Sequence, residues 1–220
     1  MYLYYNLYIR NKSFIKKSQY SQWGEDLFID DFFKNTKSGI YFDIGCFHPF
    51  MYSNTCLLHK KGWRGINIDI NQTSIDLFNI ARPDDCNICT TIDESEKELK
   101  YYFDHHFSPL NTADKSFYES SRSRFFKSKI TKTIKSKLAP QILNLAGVNK
   151  VDFLNIDVEG MDLKILKLLI PQNILPKLIS IETHNVEGSK SKDADEISSF
   201  LLENKYKLLK RVGPTTLFNN

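Results

Sequence analysis

Two stretches, Tyr41-Phe42-Asp43-Ile44-Gly45-Cys46 and Val151-Asp152-Phe153-Leu154-Asn155-Ile156-Asp157-Val158-Glu159-Gly160, decide the fold class of this chain. Each is an apolar run that ends in polar residues and a glycine. In an open α/β sheet, ligands bind beyond the carboxyl ends of the parallel strands. The two stretches therefore predict strand ends that meet at one ligand site.

The rest of the chain alternates strand patterns with amphipathic helix patterns, which is typical of an α/β fold with a mainly parallel sheet covered on both faces. We predict strands at 40–44, 65–70, 87–92, 151–158 and 178–184. We predict helices at 24–35, 53–61, 72–80, 161–170 and 193–204, the last with Asp193 as N-cap. Strand patterns at 205–211 and 215–218 flank Gly213-Pro214 and predict a C-terminal antiparallel hairpin.

The composition fits one domain that spans residues 1–220. Of the 220 residues, 41% are hydrophobic, which is enough for a sizeable core, and the net charge is only +4. That charge is well below the basic footprint of a dedicated nucleic-acid binder. No apolar stretch has the length of a membrane span, so a cytoplasmic location is expected.

The four cysteines indicate ordinary buried thiols. Cys86 and Cys89 form a Cys-x-x-Cys pair inside a predicted strand. A structural zinc site needs two more ligands at comparable spacing, and a redox motif normally opens a helix.

Two acidic residues at strand ends are candidate cofactor ligands. Gly45 lets the backbone turn sharply after the first strand, and Asp43 could hold an ammonium group or order a water molecule. Asp69 ends the second strand, where a carboxylate can accept both hydroxyl hydrogens of a ribose. For each carboxylate, the competing interpretation is a turn or helix-cap residue.

The turn Gly45-Cys46-Phe47-His48-Pro49-Phe50 argues against a dinucleotide site. A pyrophosphate needs the N–H groups of a G-x-G-x-x-G turn, and here the later glycines are missing and Pro49 has no N–H. A nicotinamide oxidoreductase is therefore disfavoured. For His48, a hydrogen-bonded structural role is favoured over a catalytic one.

Six motifs in order carry a family resemblance: Ser21-Gln22-Trp23-Gly24-Glu25-Asp26, Phe42-Asp43-Ile44-Gly45, Ser53-Asn54-Thr55, Gly62-Trp63-Arg64-Gly65, Ile68-Asp69-Ile70-Asn71 and 152–160. Together they resemble the FkbM family of methyltransferases over nearly the whole chain. The resemblance implies the Rossmann-like class I methyltransferase fold, with a mainly parallel seven-stranded sheet and a C-terminal antiparallel hairpin. It also implies S-adenosylmethionine as methyl donor and hydroxyl groups of sugars or glycosylated metabolites as acceptors.

The resemblance places Gln22 and the segment 53–55 near the methionine end of the cofactor and Asp69 on the ribose. It brings Asp93 towards the adenine amino group, although Asp93 could instead belong to a solvated turn. The predicted cofactor residues are Gln22, Asp43, Gly45, Cys46, Phe47, Ser53, Asn54, Thr55, Asp69, Asn71 and Asp93.

Hydroxyl methylation needs a positioned general base, because a sugar hydroxyl is a poor nucleophile at neutral pH. Asp157 is the first candidate, with Glu182 and His184 across the crevice; His184 has an intrinsic pKa suited to accepting a proton near pH 7. These three residues could also bind a divalent cation, but their spacing does not require one. Glu159 is interpreted as a carboxylate at a helix N-terminus.

A basic, aromatic insertion at about 104–138 interrupts the strand–helix rhythm. Its basic residues are Lys115, Arg122, Arg124, Lys127, Lys129, Lys132, Lys135 and Lys137, interleaved with Phe117, Tyr118, Phe125 and Phe126. It could cover the site and receive an anionic acceptor, such as an anionic glycan, a nucleotide-sugar or a phospholipid headgroup, or it could be a solvated helix pair.

An S-adenosylmethionine-dependent O-methyltransferase that acts on a sugar, glycan or glycosylated metabolite is the leading function. A nucleic-acid methyltransferase or binding module is the alternative that the basic insertion suggests. A nucleotide-binding oxidoreductase is the third and weakest.

Overall fold

The structure, a computed structural model, describes residues 1–121 and 130–220. The strands are β1 (Ile40–Ile44), β2 (Arg64–Asp69), β3 (Cys86–Cys89), β4 (Thr91–Ile92), β5 (Glu98–Phe103), β6 (Ile130–Lys137), β7 (Phe153–Ile156), β8 (Leu178–Glu182), β9 (Lys207–Val212) and β10 (Thr215–Asn219). The α-helices are α1 (Tyr2–Tyr5), α2 (Glu25–Phe32), α3 (Cys56–Lys60), α4 (Gln72–Ala81), α5 (Lys115–Ser121), α6 (Ala139–Ala146), α7 (Asp162–Leu169) and α8 (Ala194–Glu203).

Seven strands form the main sheet, in the order β3-β2-β1-β7-β8-β10-β9. The neighbours from β3 to β8 are parallel, and β10 runs antiparallel to both β8 and β9. This confirms the predicted α/β fold with its C-terminal hairpin. The strand order reverses between β1 and β7, which places a ligand crevice at the carboxyl ends of these two strands.

The two faces of the sheet are covered by different helices. Alternate side chains of β1 point to opposite faces, as in any strand. Phe42 and Ile44 belong to a core cluster that includes residues of α6, α7 and α8, whereas Tyr41 packs with Ile29 of α2 and Leu58 of α3. The sheet is therefore buried on both sides, as a parallel sheet requires.

The two stretches that decide the fold meet where β1 and β7 end. The N–H of Asp157 donates to the carbonyl of Ile44 over 3.0 Å. Gly45 turns the chain with φ +80°, and a Cβ atom on this residue would lie 1.8 Å from the carbonyl oxygen of Asp157. Only glycine allows the two strand ends to approach this closely.

The observed elements are shorter than predicted at several ends. The strand expected at 151–158 pairs only over Phe153–Ile156, because the chain turns at Glu159 and Gly160, which have φ +49° and +94°. The helix expected at 53–61 begins only at Cys56. Asp193 precedes α8 as predicted, but its side chain makes no capping hydrogen bond, which corrects that part of the prediction.

The strand predicted at 87–92 is in fact two strands in two sheets. β3 belongs to the main sheet, whereas β4 pairs with β6 in a smaller sheet of order β4-β6-β5. Between them, the Thr90 hydroxyl donates to the carbonyl of Lys135 over 2.8 Å, which directs the chain from one sheet to the other.

The predicted insertion begins with a loop at 104–114, followed by α5, and ends in β6. The predictions omitted α1, β5, β6 and α6, and the described part of the insertion holds one helix and one strand rather than a helix pair. Arg122, Arg124, Phe125, Phe126, Lys127 and Lys129 lie outside the described residues. Within the described ranges, no helix is both long enough and apolar enough to cross a bilayer.

The close approach of Gly45 to Asp157 predicts that Gly45→Ala lowers the free energy of unfolding by about 3 kcal/mol or more, since the new methyl group collides with backbone. Gly62→Ala is the matched control. Gly62 also has a positive φ of +94°, but its Cβ would meet nothing within 4 Å. This control should cost about 1 kcal/mol from backbone strain alone. Urea denaturation of both variants makes the comparison, and equal losses would contradict the steric argument.

Candidate active site

A cavity of about 540 Å³, here named the central cavity, lies beyond the carboxyl ends of β1, β2, β3 and β7. Four residues that the sequence analysis predicted for the site line it: Gly45, Phe47, Asp69 and Asp157. The loop after β5 closes it with small and polar side chains, namely Ser108, Pro109, Asn111 and Ala113. Apolar walls, here Ile44, Ile68 and Met161, that carry a few polar groups are typical of small-molecule sites.

Asp69 ends β2 and lines the central cavity. Its two carboxylate oxygens accept hydrogen bonds from the N–H groups of Phe47, over 2.9 Å, and Asn71, over 2.7 Å. Burial raises the pKa of Asp69 to about 6, although both N–H groups lower it. Each oxygen has a further lone pair, so the carboxylate can also accept hydroxyl hydrogens from a ligand.

Asn71 stabilises the walls of the central cavity without lining it. Its side-chain oxygen accepts from the N–H of Thr73 and caps α4. Its side-chain nitrogen donates to the carbonyl of His106 over 2.7 Å. Asn71 therefore joins the end of β2 to the loop that closes the cavity.

A second cavity of about 440 Å³, here named the side cavity, adjoins the first. Gln22, Asn54, Asp157 and Glu182 line it together with aromatic side chains of Trp23 and Tyr52. The side-chain nitrogen of Asn54 donates to Asn155 over 2.9 Å, whereas its oxygen is buried and has no partner among the described residues. A buried acceptor without a donor is costly unless a ligand supplies one.

Three carboxylates connect these cavities to a third, wider one. This outer groove of about 1640 Å³ runs between α5, the segment after β8 and the start of α8. Asp157 lines both the central and the side cavity, Glu182 the side cavity and the groove, and Glu159 the central cavity and the groove. All three cavities therefore converge on Asp157, Glu159 and Glu182.

The three carboxylates have raised pKa values. Removal from bulk water, together with the charges of neighbouring carboxylates, raises the pKa of Asp157 to about 7 and that of Glu182 to about 9. The same two causes raise the pKa of Glu159. Asp157 has accessible surface, and this surface lines the central and the side cavity. Among the described residues, no side chain or N–H group donates to any of the three carboxylates.

Glu159 has strained backbone. It adopts φ +49°, a left-handed conformation that costs a non-glycine residue of this size about 1 kcal/mol or more. The hydroxyl of Thr112, in the loop that closes the central cavity, donates to the Glu159 carbonyl over 2.7 Å. Glu159 precedes the first turn of α7, which begins at Asp162, and its side chain lines the cavities.

Asp43 lies behind the site, in a buried polar network. Its carboxylate accepts from the Thr55 hydroxyl over 2.7 Å and from the Asn155 side chain over 2.9 Å. The guanidinium of Arg82, itself fully buried, donates to Thr55 over 2.8 Å and to Ser53 over 3.0 Å. Burial raises the pKa of Asp43, whereas Thr55, Asn155 and Arg82 lower it. Asp43, Ser53 and Thr55 therefore hold the walls in place and do not line the three cavities.

Other predicted residues also lie away from the cavities. Cys46 is buried in an apolar cluster with Ile75 and Phe78. The Asp93 carboxylate forms ion pairs with Lys97 and Lys164, over 3.2 and 3.0 Å.

Of the predicted histidines, His184 lines the outer groove, and one of its ring nitrogens, Nδ1, bonds the Thr183 hydroxyl over 2.9 Å. The Nδ1 atom of buried His48 accepts from the N–H groups of Phe50 and Met51, and burial lowers the pKa of His48 to about 4. His48 is thus a neutral residue that organises its turn.

Sequence reasoning missed Arg82 and Asn155. Asn155 carried a usable signal, because it is a polar residue inside an otherwise apolar strand pattern and buried polar groups need partners. Arg82 carried none, since an arginine after a surface helix is normally solvated.

The four cysteines are free thiols, two buried and two partly buried. No three His, Cys, Asp or Glu side chains within residues 1–121 and 130–220 are grouped so that they could hold a metal ion. The divalent cation stays a prediction.

The strand order, the C-terminal hairpin and the cavity at the β1–β7 switch point define a class I methyltransferase fold. The family model described as the methyltransferase FkbM domain matches residues 43–208. The chain belongs to the FkbM methyltransferase family, which confirms the resemblance seen in the sequence. No curated protein and no solved structure is significantly similar to it.

The buried network predicts that Arg82→Met lowers the free energy of unfolding by about 3 to 5 kcal/mol, because the loss of one partner leaves buried oxygens and the Asp43 charge unpaired. Arg64→Met is the control. The Arg64 side chain is 44% exposed and pairs with Asp84 over 3.4 Å, so this change should cost about 0.5 kcal/mol or less. Chemical denaturation measures both, and similar losses would show that the network does not stabilise the fold.

The raised pKa values of Asp157 and Glu182 predict that the protein without cofactor loses stability as the pH rises. In the unfolded chain these carboxyl groups have pKa values of about 4. Between that pH and the raised pKa values of about 7 and about 9, the folded state binds more protons than the unfolded chain. The free energy of unfolding therefore falls as the pH rises through this range. Glu182→Gln should reduce this decline and stabilise the protein at pH 9 by about 1 kcal/mol or more. Melting temperatures between pH 5 and pH 9 measure it. The exposed-site control Glu203→Gln should keep the full decline; an unchanged slope in Glu182→Gln would contradict the assignment.

Proposed function

We propose that this chain is an S-adenosylmethionine-dependent O-methyltransferase that acts on a hydroxyl group of a sugar, glycan or glycosylated metabolite. The observation that carries the proposal is the convergence of three cavities on Asp157, Glu159 and Glu182. Two of these cavities suit a donor with two chemically different ends, and the third suits an acceptor. The cytoplasmic location expected from the sequence stays a prediction.

The central cavity would hold the adenosine part of the cofactor. Asp69 would accept hydrogen bonds from the ribose hydroxyls through the lone pairs that Phe47 and Asn71 leave free. Gln22 and Asn54 in the side cavity would hold the methionine end. The unpartnered oxygen of Asn54 fits this, because a methionine ammonium group is a donor that could satisfy it.

The charge at the junction also fits this cofactor. S-adenosylmethionine, when bound, supplies an electrophilic methyl group on a positively charged sulfur. Asp157, Glu159 and Glu182 have no cation beside them in the described part of the chain, so a cationic ligand would be attracted to them. A positive charge there would also lower their pKa values and favour the ionised forms.

Asp157 is the proposed general base. Its carboxylate would accept the proton of the acceptor hydroxyl as the hydroxyl oxygen takes the methyl group, whose bond to sulfur would break to leave a neutral thioether. The ionised form that this role requires is favoured once a cation lowers the raised pKa of Asp157. Glu182, which lines both the side cavity and the groove, would orient the acceptor hydroxyl.

The turn after β1 supports a methyl donor over a dinucleotide. The N–H of Phe47 donates to Asp69 and that of Cys46 to the carbonyl of Ile68, over 2.9 and 3.2 Å. These two N–H groups are therefore already used, and Pro49 has none. A pyrophosphate would find few free donors in this turn.

The proposed roles of Asp69 and Asp157 predict opposite effects on cofactor binding and turnover. Asp69→Asn should weaken binding of S-adenosylhomocysteine about tenfold, because a neutral amide is a weaker acceptor for hydroxyl groups. Asp157→Asn should bind it within about threefold of the native protein yet lose about 100-fold or more in turnover. Calorimetry measures binding, and release of S-adenosylhomocysteine with a panel of methyl glycosides measures turnover.

Asp76→Asn on α4 is the matched control for these variants, since Asp76 lies on the next helix and bonds only Gln72 among the described residues. It should leave binding and turnover unchanged. NADH should not stabilise the native protein against heat. No thermal stabilisation by S-adenosylhomocysteine would overturn the proposed function, and the reverse pattern of the two variants would show that their roles are exchanged.

A further inference from the structure

The outer groove opens directly from the carboxylates at which methyl transfer is proposed. It shares Glu182 with the side cavity and Glu159 with the central cavity. Its volume of about 1640 Å³ is larger than the other two cavities together. An acceptor in the groove therefore reaches the transfer centre without crossing the space proposed for the cofactor.

Most charged side chains that line the described walls of the groove are acidic: Glu159, Asp162, Glu182, Glu187 and Asp193. Among the described residues, Lys192 is the only lysine that lines it. The Lys192 ammonium is 3.7 Å from the Asp114 carboxylate and 3.3 Å from the Ser116 hydroxyl, so its charge is already paired. Burial, Arg211 and Lys190 lower the pKa of His184, which favours its neutral form at pH 7. Even with Glu159 and Glu182 protonated, as their raised pKa values favour before a ligand binds, Asp162, Glu187 and Asp193 outnumber Lys192, so the described walls carry a net negative charge.

Glu159 and Glu182 are mostly buried, yet the described part of the chain offers neither a cation nor a hydrogen-bond donor to their carboxylates. Asp162 differs, because the N–H of Val158 donates to it over 3.4 Å. A buried carboxylate without a partner destabilises the fold, as the raised pKa values of Glu159 and Glu182 reflect. Two such groups that face the same groove point to a ligand that supplies the missing donors.

The groove also has an apolar side, formed by Leu110, Phe117 and Ile197. Apolar and aromatic walls with a few convergent polar groups are typical of small-molecule sites. A sugar ring matches this arrangement, since its C–H face can pack on an apolar wall while its polar substituents meet the carboxylates.

We propose that the outer groove binds the methyl acceptor and selects an acceptor that carries a protonated amine, an amino sugar or a similar amine-bearing polyol. This rests on the proposed function and names the substrate class of the same site. The ammonium group would meet Glu159 while the acceptor hydroxyl donates to Glu182, and Glu187 and Asp193 at the rim would attract the positive charge. This amine-bearing acceptor differs from the anionic acceptor that the basic insertion suggested, because the described walls of the groove would repel an anion.

The test compares three acceptors of similar size with the full chain saturated with S-adenosylhomocysteine: methyl 2-amino-2-deoxyglucoside, methyl glucoside and methyl glucuronide. We expect the amino sugar to bind at least about tenfold more tightly than the neutral sugar, and the glucuronide to bind most weakly. Raising the salt concentration should reduce the preference for the amino sugar, because exposed charges at the rim are screened. Calorimetry measures all three.

Two variants at the rim of the groove and one control test whether the acidic side chains there select the amino sugar. Glu187→Gln and Asp193→Asn should each weaken binding of the amino sugar about threefold and leave binding of the neutral sugar nearly unchanged. Glu203→Gln, an equivalent change at the other end of α8 and outside the groove lining, should leave both unchanged. Rim variants that weaken the neutral sugar equally would contradict charge selection.

The outcomes distinguish this inference from the proposed function. If S-adenosylhomocysteine binds but the neutral or anionic sugar binds as tightly as the amino sugar, or none of the three binds, the inference is overturned and the function stands. If S-adenosylhomocysteine does not bind, the proposed function itself fails.

Discussion

The buried carboxylate of Asp43 is the interaction on which the geometry of the site depends. Asp43 of β1 lies beside Asn67 of β2 and Asn155 of β7 in the strand register, so three polar side chains form a row across the centre of the sheet. Asp43 binds Thr55, and Arg82 binds Thr55 in turn. This row fixes the segment before α3, which brings Asn54 into the side cavity, because breaking any contact would leave a buried charge unpaired.

Three carboxylates that line the cavities in front of this row lack, among the described residues, protein donors like those that stabilise Asp43. Asp43 is stabilised by protein donors, whereas Asp157, Glu159 and Glu182 meet none in the described residues. Their ionisation opposes folding, and the left-handed backbone of Glu159 adds strain. Such costs are characteristic of functional sites, where groups are arranged for a ligand rather than for stability. A cationic donor, and in our inference a cationic acceptor, would provide the missing charge.

The sequence predicted the elements that bear the chemistry better than those that enclose it. β1, α4, α7, α8 and the terminal hairpin agree with prediction within a few residues, because their apolar periodicity and flanking glycines are strong local signals. The strand expected at 87–92 was split, since a switch between two sheets depends on partners that are distant in the chain. β6 was missed because its lysine-rich, half-exposed strand lacks the apolar pattern of a buried sheet. β5 was missed although three of its six residues are aromatic, because it pairs with β6 in the smaller sheet rather than with the main one.

By itself, the sequence determined the fold class, the family and the location of the site at strand ends, because hydrophobic periodicity and the Gly45 turn are local properties. It also predicted Asp69, Asp157 and Glu182 as site residues, because they lie at the ends of apolar strand runs, and all three line cavities in the structure. Only the tertiary structure separated Asp43 and Cys46, which support the sheet, from the carboxylates that line cavities. Only the tertiary structure shows that buried Arg82 donates to Thr55 and that Glu182 lines an acidic groove. Burial and charge pairing arise between residues that are distant in the chain, and sequence spacing does not encode them.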